Sequence, residues 1–153
     1  MRRLFSLKHE YATEWRRFLQ SPAPPTIGFS LTPDRFPFQL RGRNIRLQQC
    51  DVFVILTGAD GTTPAGVSLT KPDGSQVTRL DSGRETTVWP LLTDVTADRV
   101  QHYTVLGIDA GPGSLRDGQR NYTWSLTLIG APGAPPMTAA HIEDILLVFQ
   151  FTA

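Results

Sequence analysis

The fold class follows most directly from residues 121–129, which read NYTWSLTLI. Large apolar side chains alternate there with small hydroxyl side chains: Tyr122, Trp124, Leu126 and Leu128 against Thr123, Ser125 and Thr127. Successive side chains of a β-strand point to opposite faces of the sheet, so this alternation predicts a strand with one face in a core and one in water. That arrangement is typical of an antiparallel sheet.

Similar short apolar runs, separated by turn residues, occupy most of the chain after residue 25. The predicted strands span residues 27–31, 44–57, 67–70, 76–80, 84–91, 101–109, 121–129 and 145–151. The Lys71–Gly74 segment, KPDG, is a strong turn signal because Pro presets φ and Gly accepts a positive φ. Since no helices alternate with these strands, a parallel sheet is excluded. We predict an all-β, antiparallel two-sheet β-sandwich, jelly-roll-like, with about eight strands.

The longest predicted strand, residues 44–57, changes phase along its length. Its apolar positions are Ile45 and Leu47, which are odd-numbered, and Val52, Val54 and Leu56, which are even-numbered. A bulge near residues 48–49 would bring the two halves onto one face, and burial of the second half on both faces would also explain the pattern. Both explanations stay open at this stage.

The first 25 residues differ from the rest of the chain. Apolar residues recur there at helical spacing: Tyr11, Trp15, Phe18 and Leu19. This spacing predicts a short amphipathic helix from a Thr13 cap to Leu19, ended by the proline-rich residues 21–25. We assign residues 1–25 to this helix and a connector, and residues 26–153 to the β-sandwich domain. Because so short a helix is marginal alone in water, we expect it to dock on its surroundings.

Charge and hydropathy exclude several classes of partner. Lys and Arg total 15 and Asp and Glu total 14, so the net charge of +1 gives no field that would attract nucleic acid. No run approaches 18 apolar residues, and the apolar start ends at Lys8, too early for a signal peptide. We therefore expect a soluble chain without a transmembrane segment that does not use the general export route.

The residues that usually carry chemistry are scattered. The one cysteine, Cys50, lies in an apolar run and is predicted to be a small buried hydrophobe. His9, His102 and His141 lie far apart in the sequence, which does not favour a metal site. The adjacent pair Glu143-Asp144 would point to opposite faces of a strand and could not flank one bond. We predict no catalytic residue, no metal and no cofactor, and hence no enzyme.

The candidate interface lies around an arginine-rich segment and the N-terminal helix. Only Lys8 and Lys71 are lysines, so nearly all of the positive charge is on guanidinium groups, which bind carboxylates and carbonyls as forks. Such forks could hold acceptors at a subunit interface or in the chain's own loops, and both readings stay open. The candidate interface residues are Arg35, Phe36, Phe38, Arg41, Arg43 and Trp15.

Three stretches of the sequence resemble the C-terminal region of the A component of bacterial Tc (toxin complex) insecticidal toxins and Tc-like proteins. The first is FSLKHEY at residues 5–11 with EWRRFL at 14–19, and the second is DRFPFQLRGRNI at 34–45. The third is IEDILLVFQFTA at 142–153, which is similar to the terminal I-x-D-[IV]-L strand of that family. Residues 58–118 carry none of this resemblance.

The resemblance implies a non-catalytic β-sandwich near the end of a very long chain. In that family the A component forms a pentameric, bell-shaped channel, and its C-terminal region docks the cocoon-forming B component. The expected function is assembly or binding through protein contacts, with its own oligomer or a Tc B component as partner, as part of a released virulence complex. With 153 residues, the chain would be an excised domain or a stand-alone relative.

The alternative function is a carbohydrate- or receptor-binding β-sandwich. A glycan would need two coplanar, exposed aromatic rings in one groove, whereas a protein partner would need an exposed apolar edge around Phe36, Phe38 and the Trp15 helix.

We predict that Arg41→Ala or Arg43→Ala weakens association with a protein partner more than it lowers the stability of the fold, because a surface guanidinium contributes little to folding. Chemical unfolding and a binding titration of each variant measure the two effects. Loss of the fold with association unchanged would refute the assignment.

Overall fold

The computed structural model describes residues 1–22, 24–36, 45–57, 64–80, 83–84, 100–106, 108, 114–115, 121–130, 133 and 138–152. The strands are β1 (Arg2–Ser6), β2 (Thr26–Ser30), β3 (Ile45–Leu56), β4 (Gly66–Thr70), β5 (Gln76–Arg79), β6 (Gly83–Arg84), β7 (Val100–Leu106), β8 (Ser114–Leu115), β9 (Thr123–Ile129) and β10 (Ile142–Thr152). The helices are α1 (Leu7–Glu10) and α2 (Ala12–Leu19), and short 3-10 turns span Pro33–Arg35 and Ala139–His141. Beyond Arg84, the strand predicted over residues 84–91 lies outside the described residues.

The strands form two antiparallel sheets. One has the order β1-β10-β3-β7-β6, with β8 beside β3, and the other has the order β2-β9-β4-β5. The chain crosses between the sheets after β1, β2, β3, β5, β8 and β9, and this strand order is that of a jelly roll. The predicted all-β, two-sheet sandwich is confirmed.

The core lies between the two sheets and follows the alternation of the strands. On β9, Trp124, Leu126 and Leu128 are buried, as the sequence predicts. The Trp124 ring meets Phe149 of the opposite sheet edge to face, with centroids 6.1 Å apart. An apolar layer this continuous holds the sheets together by removing its area from water.

The bulge predicted in the longest strand is present. On β10, the consecutive residues Gln150 and Phe151 pair with Gln49 and Leu47, so Gln48 is the extra residue on β3. After the bulge, β3 is also buried on both faces, since Phe53 and Ile55 join a second apolar cluster outside the sandwich core. The two explanations of the phase change are therefore both correct.

The predicted hairpin joins β4 to β5 through the turn at residues 71–74. Gly74 has φ +89° and donates its N–H to the Lys71 carbonyl at 2.9 Å. The Lys71 N–H in turn donates to the Ser75 carbonyl at 2.8 Å. Glycine is needed at this position because other residues rarely adopt a positive φ.

The N-terminal residues differ from the prediction. Residues 2–6 form the edge strand β1 of the first sheet, so the sandwich begins at Arg2 and not at residue 26. The helix α2 begins at Ala12, and Thr13 is not its cap: the N-cap is Tyr11, which makes no side-chain capping bond. The expected docking of the helix is confirmed, because Tyr11, Trp15 and Phe18 belong to the core.

The first and last strands bring the two ends of the described chain together. The Met1 ammonium donates to the Phe151 carbonyl at 3.1 Å, and the Phe151 N–H donates to the Met1 carbonyl at 2.9 Å. From there β1 and β10 stay paired to Ser6 and Leu146.

Two strand glycines of the second sheet should respond differently to an added methyl group. A Cβ on Gly66 would lie 2.6 Å from the Arg79 carbonyl oxygen, whereas a Cβ on Gly28 would lie 3.8 Å from its nearest neighbour. We expect Gly66→Ala to lower the free energy of unfolding by about 1–3 kcal/mol, because backbone must move to make room. Gly28→Ala is the matched control and should lose no stability. Urea unfolding measures both, and equal stabilities would contradict this account of Gly66.

Candidate interface at the N-terminal helix

A buried carboxylate fixes the start of the helical segment to the last strand. Asp144 on β10 accepts the Ser6 hydroxyl at 2.7 Å, the Lys8 N–H at 3.1 Å and the Ile145 N–H at 2.7 Å. Ser6 is also the N-cap of α1, accepting the His9 N–H at 3.3 Å. Asp144 and Ser6 thereby satisfy two backbone donors, those of Lys8 and His9, that the first turn of a helix leaves unpaired.

Two arginines tie the helical segment to the turn after β2. Arg3 forms an ion pair with Glu10 at 2.7 Å, and its Nε donates to the Arg35 carbonyl at 3.1 Å. The Arg35 guanidinium lies 4.2 Å from the centroid of the Tyr11 ring. A guanidinium over an aromatic face is attracted to the negative face of the ring. Arg35 is therefore held at the surface of the junction between α1, α2 and the turn.

Tyr11 lies at the centre of this junction. Its ring contacts Phe5 of β1 and Phe29 of β2, with centroid distances of 6.4 and 5.8 Å, and its hydroxyl donates to the Ser30 carbonyl at 2.7 Å. Burial raises the pKa of Tyr11 to about 12, although the charge of Arg35 acts in the opposite direction. The hydroxyl therefore stays a donor over the ordinary pH range.

The candidate interface residues that the structure describes differ in how much of each side chain is exposed. Trp15 and Phe36 are 6% and 4% exposed, so both rings lie in the core and form no exposed apolar edge. Phe36 packs edge to face on Phe151 at 5.1 Å, and Trp15 packs on Phe18 at 4.9 Å. Neither ring therefore contributes to the exposed apolar edge that was set as the condition for a protein partner.

Arg35 is the described candidate whose side chain reaches the surface, where it is partly exposed. The three other candidates, Phe38, Arg41 and Arg43, lie outside the described residues.

Other residues at the surface of α2 were not singled out from the sequence. Glu14, Arg17 and Ser21 line one side of a groove of about 270 Å³, and Thr26 and Gly28 of β2 line the other. The i, i+3 spacing of Glu14 and Arg17 places them on one flank of α2, which was the available signal, and Ser21 follows two residues after the helix ends. That this flank faces a strand could not be read from the sequence.

The condition set for a glycan site is not met in the described part of the chain. Trp124 and Trp15 are buried, and Trp89 lies outside the described residues. The large apolar side chains exposed in the described part are Met1, Leu19, Leu80 and Leu106, none of them aromatic.

A polar cluster lies on the outer face of the first sheet. Asp51, 4% exposed, accepts His102 Nε2 at 3.0 Å, the Thr104 hydroxyl at 3.0 Å and Gln49 Nε2 at 3.2 Å. The His102 ring stacks on Phe53 at 4.3 Å. The carboxylate, the imidazole and the hydroxyl are hydrogen-bonded to one another. Such an arrangement is typical of a structural network that stabilises a buried charge.

Burial raises the pKa of Asp51, but the hydrogen bonds from His102, Thr104 and Gln49 together outweigh it and lower the pKa below its ordinary value of 3.8. Nearby, burial raises the pKa of the Cys50 thiol well above its usual range, with a further rise from the Asp51 charge. Cys50 is fully buried, as predicted, and a buried thiol with a raised pKa is not a nucleophile.

Among the described residues, no three His, Cys, Asp or Glu side chains gather as metal ligands. Within those ranges, too, no helix has the length and apolar character needed to cross a membrane.

No family model matches this sequence, and neither a curated protein nor a solved structure shows significant similarity to it.

The Asp51 network should make stability depend on pH. Because the pKa of Asp51 is lowered in the folded state, its contribution to stability is fully present above the unfolded value of 3.8 and is lost as the pH falls below that value through the lower folded-state pKa. We expect Asp51→Asn to cost about 1–3 kcal/mol near neutral pH, since a buried charge-assisted network is broken. The difference in the free energy of unfolding between the variant and the unmodified chain should shrink on acidification. Urea unfolding over a pH series measures it, and a difference that widens at low pH would contradict the assignment.

Proposed function

We propose that this chain is a non-catalytic assembly or binding domain of the Tc-toxin type. It acts through protein contacts, either within its own oligomer or with a Tc B component. The proposal starts from the three stretches that resemble the C-terminal region of Tc A components.

The observation that carries the proposal is that parts of all three stretches pack on one another. Phe5 from the first stretch and Phe151 from the third both pack on Phe36 from the second, at 5.9 and 5.1 Å. Ser6 of the first stretch donates to Asp144, the acidic position of the terminal I-x-D-[IV]-L strand. Residues far apart in the sequence thus form one unit, as expected if they were selected together for one structural purpose.

This unit also gives the arginine-rich segment a fixed starting point. Phe36 is anchored in the core, and Arg35 is held by Tyr11 and Arg3. The residues that follow directly in the sequence include Phe38, Arg41 and Arg43. A binding segment that begins at a rigid point loses less conformational entropy when it binds.

The chemistry of the described residues supports a non-catalytic role. The Asp51 and Asp144 carboxylates are occupied by internal hydrogen bonds, and the Cys50 thiol is buried. A catalytic group must instead lie within reach of a bound substrate.

The test is light scattering coupled to size-exclusion chromatography, with and without a Tc B component from the same genome. We expect a defined oligomer or a complex with the B component. Phe36→Ala should lower that association together with stability, and Arg16→Gln, on the exposed face of α2, serves as the control. A persistent monomer that ignores the B component but binds a glycan array would overturn the proposal in favour of the carbohydrate-binding alternative.

A further inference from the structure

A small polar groove opens at the surface between α2 and β2. Helix α2 packs along the outer edge of β2, and the Tyr11 hydroxyl already occupies the Ser30 carbonyl at that edge. The groove holds about 270 Å³, just below the roughly 300–1,000 Å³ of pockets for drug-sized ligands. It therefore has room for a small molecule only. Its lining residues are Glu14, Arg17, Ser21, Thr26 and Gly28.

The strand side of the groove is left open by a glycine. Ile27 and Phe29 of β2 are buried in the core, so Gly28 between them faces away from it. A Cβ on Gly28 would have the Trp124 carbonyl oxygen as its nearest neighbour, at 3.8 Å. The missing side chain thus leaves space beside α2 that the packing of the fold does not fill.

The helical side of the groove carries one charge of each sign. Glu14 and Arg17 lie one helical turn apart on α2, with their Cβ atoms separated by roughly 5–6 Å. Glu14 is half-buried and Arg17 is exposed. In the described part of the chain, neither side chain forms an ion pair with the other or with a third residue. A ligand that carries both a cation and an anion would pair with the two side chains without breaking an internal ion pair.

The hydroxyl groups of the groove can add only acceptors. The Ser21 hydroxyl donates its proton to the Phe18 carbonyl at 2.7 Å, and the Thr26 hydroxyl donates to the Pro24 carbonyl at 3.3 Å. A hydroxyl has one proton and two lone pairs, so what remains at both oxygens is the capacity to accept. An ammonium group has three N–H donors. It would therefore find acceptors at the Glu14 carboxylate and at the neighbouring hydroxyls.

We propose that the groove between α2 and β2 binds a small zwitterion of the α-amino acid class, with its ammonium on Glu14 and its carboxylate on Arg17. A guanidinium group suits the carboxylate because its fork makes two parallel hydrogen bonds. A ligand with a single charge would leave one of the two side chains unpaired. The inference stands on the groove alone and does not depend on the Tc-type function.

The test is an amide NMR titration of the purified chain with L-alanine at constant pH and ionic strength. We expect the Ser21, Thr26 and Gly28 amide signals to shift and to saturate. Two probes each lack one charge: L-alaninamide has no carboxylate, and N-acetyl-L-alanine has no ammonium. Each should bind about threefold to fivefold more weakly than L-alanine, as for the loss of one partly exposed ion pair.

Variants of the chain assign each end of the ligand to its side chain. Arg17→Gln should weaken the binding of L-alanine and remove the difference in affinity between L-alanine and L-alaninamide. Glu14→Gln should likewise remove the difference between L-alanine and N-acetyl-L-alanine. Arg16→Gln is the matched control, because Arg16 is exposed on the same helix and does not line the groove. It should leave all three affinities unchanged.

Substitutions of Gly28 test the location of the site. Gly28→Val places a branched side chain in the groove and should abolish binding. Gly28→Ala adds a single methyl group and should weaken binding without loss of stability, since its Cβ has 3.8 Å of clearance. If Gly28→Val does not fold, Gly28→Ala and the two charge variants still decide the question.

Three results would overturn the proposal. The absence of saturable shifts at the three amides would show that the groove takes no amino acid. Equal affinities for the three probes would exclude recognition of a zwitterion. An effect of Arg16→Gln as large as that of Arg17→Gln would reduce the binding to a general effect of charge on the helix.

Discussion

Tyr11 joins the two sheets, and the rest of the N-terminal architecture depends on it. Its ring lies between Phe5 of the first sheet and Phe29 of the second, and its hydroxyl donates a hydrogen bond to the Ser30 carbonyl. A sandwich is apolar inside, so an opening between its edge strands would expose that interior to water. Tyr11 covers the opening with a ring and satisfies a strand-edge acceptor with the same side chain. Arg35, α1 and α2 are then positioned relative to this one residue.

The features that could be predicted from the sequence depend on local pattern. The alternation along residues 121–129 gave the strand and its buried face, and the phase change in residues 44–57 gave the bulge at Gln48. The KPDG turn followed from the conformational limits of proline and glycine. In each case a few neighbouring residues contain the whole physical cause, so no knowledge of the tertiary structure is required.

The features that could not be predicted depend on distant partners. Strand β1 contains two arginines and few apolar residues, and it forms because β10 offers an edge to pair with. The role of Asp144 requires the start of α1, which lies 136 residues away along the chain. Trp15 and Phe36 were candidate interface residues, but both rings lie in the core between the sheets. The groove beside β2 needs the strand order of the whole sheet to be recognised.

The pairing of Met1 with Phe151 has a mechanical consequence. Because β1 and β10 are antiparallel neighbours whose outer ends coincide, a force that separates the two ends loads one hydrogen-bonded pair at a time. The strands would open like a zipper from Arg2 and Gln150 inward, at low force, instead of resisting by shear along their length. Tension applied elsewhere, for example between β3 and β10, would meet a much longer ladder. Under a force applied at Met1 and Phe151, the β1–β10 ladder would therefore be the first part of the sheet to open.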